Sequence, residues 1–180
     1  MILSCNTVFA QDTNIQEVKQ QAIALYSTKN YKEAGKLLKN LPPDEKTDEI
    51  YILLSNLALE NNNINLAIQN LNKAIDKNQK CYKAYYNLGN IFAKKGSYIL
   101  AANNYEIALE KNKNNAAIYY NLAYCQIKTR NFKAAKKNLI KSIELEPKNK
   151  NAYYNLALCY KELNDTKQAK KMLEQYDKFQ

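Results

Sequence analysis

This sequence has no histidine and no tryptophan, and it carries only three glycines and three prolines in 180 residues. Each shortage excludes something. Without histidine the chain lacks the commonest general base and the commonest metal ligand. So few glycines and prolines cannot supply the many special turns of an all-β sandwich, which leaves helices as the favoured element. The four cysteines, Cys5, Cys81, Cys125 and Cys159, form no C-x-x-C pair, so neither a zinc site nor a redox motif is spelled out. No run approaches the ~18–20 consecutive apolar residues of a membrane-spanning helix. Arg130 is the only arginine, although the net charge is +10. The excess is therefore lysine, whose ammonium cannot make the bidentate contacts by which guanidinium reads phosphate and guanine. Nucleic acid is not the expected partner. Nothing in these residue types points to a cofactor, and no usual catalytic constellation can be assembled from them.

What is present is a repeat. Ala84-Tyr85-Tyr86-Asn87-Leu88-Gly89 returns as Ile118-Tyr119-Tyr120-Asn121-Leu122-Ala123 and again as Ala152-Tyr153-Tyr154-Asn155-Leu156-Ala157, 34 residues apart each time. Extending that period divides the chain into a segment 1–14 and units 15–47, 48–81, 82–115, 116–149 and 150–180. The eighth place of each unit is small: Ala22, Ser55, Gly89, Ala123 and Ala157. The twentieth is Ala34, Ala67, Ala101, Ala135 and Ala169. Small residues at both places let two helices approach closely. The seventh place (Gln21, Leu54, Leu88, Leu122, Leu156) and the twenty-fourth (Leu38, Leu71, Tyr105, Leu139, Leu173) complete an apolar helical period in each half-unit.

Helix ends are marked as well. The sixteenth place is Asn30, Asn63, Ser97, Asn131 and Asp165, and each can accept a hydrogen bond from the free amides of a helix start. Asn14, Thr47, Asn115 and Asn149 stand where the first helix of a unit would be capped. Asn62, Gly96 and Asn164 precede the second cap and tolerate a left-handed turn. Each unit therefore reads as helix, tight turn, helix.

This pattern resembles the tetratricopeptide repeat over nearly the whole of residues 15–180. The family's large aromatic in the first helix corresponds to Tyr51, Tyr85, Tyr119 and Tyr153, and its late proline is met only by Pro147. The first unit departs most, with Val18 in the aromatic place and Pro42-Pro43 ending its second helix early. The resemblance implies an all-α, right-handed superhelical solenoid of five helix-turn-helix hairpins, with first helices lining the concave face. One hairpin cannot bury its apolar stripe alone, so stacking of three or more is required.

In proteins similar to this one, the concave face carries function. Its places here hold Tyr86, Tyr120 and Tyr154, then Asn87, Asn121 and Asn155, and further along Asn56, Asn90 and Tyr124. An asparagine amide offers a donor and an acceptor and can pair with one peptide unit of an extended chain. Tyrosine beside it adds apolar area with a polar tip. The expected function is a non-catalytic scaffold that holds a protein or an extended peptide. Two other readings stay open: the asparagines bond only neighbouring helices, or the basic charge serves a nucleic-acid-associated helical repeat. The family's clamp for an acidic C-terminal tail is incomplete. Lys19 and Lys83 match it, whereas Ile23, Leu53 and Asn87 do not in one register, nor Ile52 and Ala117 in the next. Lys136-Lys137 and Lys170-Lys171 read as a solvated convex row, and Cys125 and Cys159 as small buried apolar residues.

The first ten residues, MILSCNTVFA, resemble the end of a secretory signal cleaved after Ala10, without its basic start. A lipid anchor at Cys5 fits less well, and a frayed terminus is the alternative. Exported, envelope-associated and cytoplasmic locations all remain open.

Overall fold

The computed structural model describes the backbone of residues 3–179 and the side chains of residues 14–179. The signal-like segment ending at Ala10 and the Cys5 site lie outside the described side chains. Among the described residues there are ten helices and no strand. They form two compact units, Met1–Gln79 and Lys80–Gln180.

The first unit holds two hairpins, α1 (Leu3–Ser27) with α2 (Tyr31–Lys39), and α3 (Asp48–Glu60) with α4 (Ile64–Lys77). Helix α1 runs without a break through Asn14, so that residue caps nothing, contrary to the sequence reading. Helix α2 has nine residues where α4 has fourteen, as Pro42-Pro43 leads one to expect. Its exposed C-terminal carbonyls are covered instead by Lys46, a buried lysine whose ammonium donates to the carbonyls of Lys39 (3.3 Å) and Leu41. A cation there also suits the negative end of the helix dipole.

The second unit stacks three hairpins: α5 (Tyr82–Lys94) with α6 (Tyr98–Lys111), α7 (Ala116–Lys128) with α8 (Phe132–Leu145), and α9 (Lys150–Glu162) with α10 (Thr166–Asp177). Each second helix packs on the first helix of the next hairpin. Ala101, Tyr105, Ile118, Leu122 and Cys125 form one buried cluster; Ala123, Ala135, Leu139, Leu156 and Cys159 form the next. The small eighth and twentieth columns are buried throughout. Leu173, in the last hairpin, is 42% exposed where its column mates are buried, because no further helix packs on α10 among the described residues.

The capping columns behave mostly as their chemistry requires. Thr47, Asn115 and Asn149 accept from the amides of Ile50, Ile118 and Ala152 at 3.2–3.4 Å. Asn63, Asn131 and Asp165 accept from Leu66, Ala134 and Gln168 at 3.0–3.3 Å. Asn30 and Ser97 occupy cap positions without a side-chain cap bond. The turn residue before the second helix is left-handed in all five hairpins, at Lys29, Asn62, Gly96, Arg130 and Asn164, with φ between 55° and 76°. The backbone geometry thus holds even where lysine and arginine stand in place of glycine or asparagine.

Candidate functional site

In the second unit, α5 touches α7 and α7 touches α9, so the first helices lie side by side and bring their fifth, sixth and ninth places onto one face. That face gathers Tyr86, Asn87, Asn90, Tyr120, Asn121, Tyr124, Tyr154 and Asn155. Asn56, the remaining candidate, is half-buried on α3 in the first unit.

The asparagines are not a row of unoccupied amides. Asn121 Nδ2 donates to Tyr86 Oη (3.3 Å) and to Asn90 Oδ1 (3.2 Å). Asn155 Nδ2 donates to Tyr120 Oη (3.1 Å). In both cases an asparagine bonds the tyrosine of the preceding hairpin, 35 residues earlier. The Asn121 and Asn155 amides therefore spend donor capacity on joining hairpins. What remains is a paired arrangement. The tyrosine hydroxyl accepts from the amide and keeps its own proton to donate, while the asparagine Oδ1 keeps its lone pairs. Asn87 makes no such bond among the described residues.

Sequence reasoning missed one member of the site. Tyr105, in the apolar twenty-fourth column of α6, is fully buried, and its hydroxyl donates to Asn90 Oδ1 at 2.7 Å. Asn90 Oδ1 thereby accepts twice, which leaves the Asn90 amide N–H groups for an outside partner. Burial, with further increments from the nearby Cys125 and Tyr86, pushes the Tyr105 phenol well above its ordinary value, so it is a neutral donor. Burial also raises Tyr120, against the opposing hydrogen bond from Asn155. The ring of Tyr105 lies 5.9 Å from that of Tyr86. A Cβ on Gly89 would come within 2.5 Å of the Tyr105 ring, so the tyrosine fits only because the eighth place of this unit is glycine. The simultaneous glycine and tyrosine in one unit were the available signal.

Around this network lies an open recess of about 290 Å³ lined by Asn90, Ala93, Lys94, Tyr105, Asn121 and Tyr124. Tyr124 is 38% exposed and Tyr154 53%. Tyr124 packs edge-on against Tyr98 with ring centroids 6.2 Å apart, and Tyr154 lies tilted against Tyr176 at 5.6 Å. Lys128 lies 5.3 Å over the Tyr124 ring. Lys136, read from sequence as merely solvated, rests 5.3 Å over the ring of Tyr160, and Lys137, Lys170 and Lys171 are exposed. Lys19 of the incomplete tail clamp is engaged by Glu49 at 2.5 Å. Cys125 and Cys159 are buried, and burial pushes both thiols up to about 11.

Among the described residues no group of three or more metal-ligating side chains converges, and no helix is long and apolar enough to cross a membrane. No curated protein matches the chain in sequence. Similar solved structures include a crystal structure of MamA at 21% identity and a TM-score of 0.79, covering 88% of this chain and 93% of that one. They also include MamA from residue 41 to its end from Desulfovibrio magneticus RS-1, at 17% identity and a TM-score of 0.79, covering 92% and 94%. MamA of AMB-1 matches at 15% identity and a TM-score of 0.77, covering 93% and 92%. At these identities the likeness is one of fold. The family models reach further: residues 4–137 match the tetratricopeptide repeat protein 21 C-terminal ARM domain, and residues 130–180 match the tetratricopeptide repeat. The chain belongs to the tetratricopeptide-repeat family, whose stacked hairpins form a protein-interaction scaffold.

Proposed function

We propose that this protein is a non-catalytic scaffold that holds an extended peptide of a partner protein across the face built by α5, α7 and α9. The observation that carries the reading is the Tyr–Asn pairing at 34-residue intervals. The hydroxyls of Tyr86 and Tyr120 supply donors, and the Oδ1 atoms of Asn121 and Asn155 supply acceptors. A peptide backbone offers the complementary carbonyl and amide at each residue, whatever its side chains. The recurrence of the pairs suits an extended chain better than a compact ligand. Exposed Tyr124 and Tyr154 add contact area at little rotamer cost.

Each hydrogen bond is worth only about 0.5–1.5 kcal/mol net, because water competes for both partners. Single changes should weaken binding modestly. The test is affinity capture of partners from the cells that make the protein, read by mass spectrometry, with wild type beside the Asn87→Ala, Asn121→Ala, Asn155→Ala triple variant. Capture should collapse in the triple variant, assayed below its melting temperature, and should persist in Lys170→Ala. Wild-type affinity in a folded triple variant would sink the reading, and so would loss of capture through Lys170 alone.

A further inference from the structure

A second recess lies in the first unit, between α2 and the α3–α4 hairpin, and encloses about 670 Å³. That volume is within the range of roughly 300–1,000 Å³ usual for ligand sites. Its floor is apolar, made by Leu54, Leu57, Ala58 and Leu66, with Tyr51 beside them. Its rim carries Lys32, Lys36, Lys39 and Lys73, and no carboxylate lines it. Lys36 is paired with Glu33 at 3.1 Å and Lys46 is committed to the end of α2. Lys32, Lys39 and Lys73 make no ion pair among the described residues. Asn70, nine-tenths buried, faces the same space and makes no side-chain hydrogen bond among the described residues. Gly35 borders this open space: a Cβ built there meets nothing within 4 Å.

The fold therefore holds like charges around a hydrocarbon trough. Burial lowers the Lys46 ammonium, and the charge of Lys73 lowers it further, against the opposing charges of Asp44 and Glu45. The arrangement selects the kind of anion. Lys32 and Lys39 stand seven residues apart on α2, roughly 10 Å along the helix. A phosphate group needs donors that converge on a point, whereas Lys32 and Lys39 are spaced along α2 and Lys73 stands on α4 around the apolar side chains.

We propose that this trough docks an acidic peptide segment. An apolar side chain of the segment enters over Leu54, Leu57 and Leu66, and its carboxylates meet Lys32, Lys39 and Lys73. The site is separate from the α5–α7–α9 face and does not depend on it.

The test uses the full chain and a fluorescein-labelled decapeptide of alternating glutamate and leucine, followed by fluorescence anisotropy. Binding should be saturable and should weaken as sodium chloride screens the lysines. The Lys39→Ala, Lys73→Ala double variant should weaken it about tenfold. Gly35→Leu fills the trough and should weaken it as much, while its melting temperature holds or rises, since leucine is the better helix former. The Asn87, Asn121, Asn155 triple alanine variant should bind the decapeptide as wild type does. The proposal is overturned if the lysine pair and Gly35→Leu both leave affinity unchanged. It is equally overturned if inorganic phosphate or decaglutamate competes as well as the unlabelled peptide, or if the asparagine triple variant is the one that loses binding.

Discussion

Gly89 and Tyr105 exchange volume within a single hairpin. Three other units pair alanine in the eighth place with leucine in the twenty-fourth, as Ala22 with Leu38 and Ala123 with Leu139, and one pairs Ser55 with Leu71. Gly89→Ala should overpack against the Tyr105 ring and cost roughly 1–3 kcal/mol. Adding Tyr105→Leu should recover much of that loss in thermal melts, despite the lost bond to Asn90, and a double-mutant cycle measures the coupling. A cycle with no coupling would refute the volume exchange. The buried thiols make a second prediction. Cys125 and Cys159 titrate at about 11 in the folded chain against an ordinary value of 9.0. The folded state therefore keeps protons that the unfolded chain releases above pH 9, and stability falls as pH rises. That contribution is complete below the ordinary thiol value and is lost on the way to about 11. Melting temperature should be flat through neutral pH and decline above it, and the Cys125→Ala, Cys159→Ala variant should decline less steeply. The columns that held these residues were legible in the sequence, since burial follows from helical period. The hydrogen bond from Tyr105 to Asn90 was not, because a column of leucines says nothing of where a hydroxyl will find its acceptor.

At the scale of the helix, the hairpin turn is set by backbone geometry and only then by residue type. Asparagine and glycine at three turns were readable from sequence, as residues that accept φ above zero. Lys29 and Arg130 adopt the same conformation at φ of 62° and 61° because the flanking helices dictate it. Left-handed geometry costs an ordinary residue roughly 1–2 kcal/mol, and asparagine less. Arg130→Asn should therefore raise stability by a few tenths to about 1 kcal/mol, measured by urea denaturation. An unchanged or lowered midpoint would show that the arginine side chain contributes more than its backbone strain costs. In the opposite direction, Ala101→Leu or Ala135→Leu puts bulk at a fully buried helix crossing and should destabilise by roughly 1–3 kcal/mol. The break at α2 was equally legible, because Pro42-Pro43 cannot continue a helix. Its repair was not: Lys46 sits seven residues beyond the carbonyl of Lys39, and only the folded loop brings them together. The continuity of α1 through Asn14 was missed for a related reason, since a residue able to cap a helix does so only where the helix stops.

For the molecule as a whole, the division at Gln79 places two hairpins in one unit and three in the other. Three stacked hairpins can bury a continuous core between them, and two bury much less. Residues 80–180 expressed alone should melt cooperatively by circular dichroism, while residues 1–79 should melt at a lower temperature and over a broader range. A more stable first fragment would show that the core is distributed otherwise. The bonds from Asn121 to Tyr86 and from Asn155 to Tyr120 carry a consequence for ancestry and for engineering. Both junctions of the second unit take their acceptor from one hairpin and their donor from the next, and neither half is complete within a hairpin. Within residues 82–180 a block of 34 residues can therefore be copied or excised at any phase and the seam heals itself, because the new neighbours again present a tyrosine and an asparagine in register. A block of any other length breaks the seam. Length variation in such a chain is thus quantised, and the chain grows or shrinks by whole hairpins.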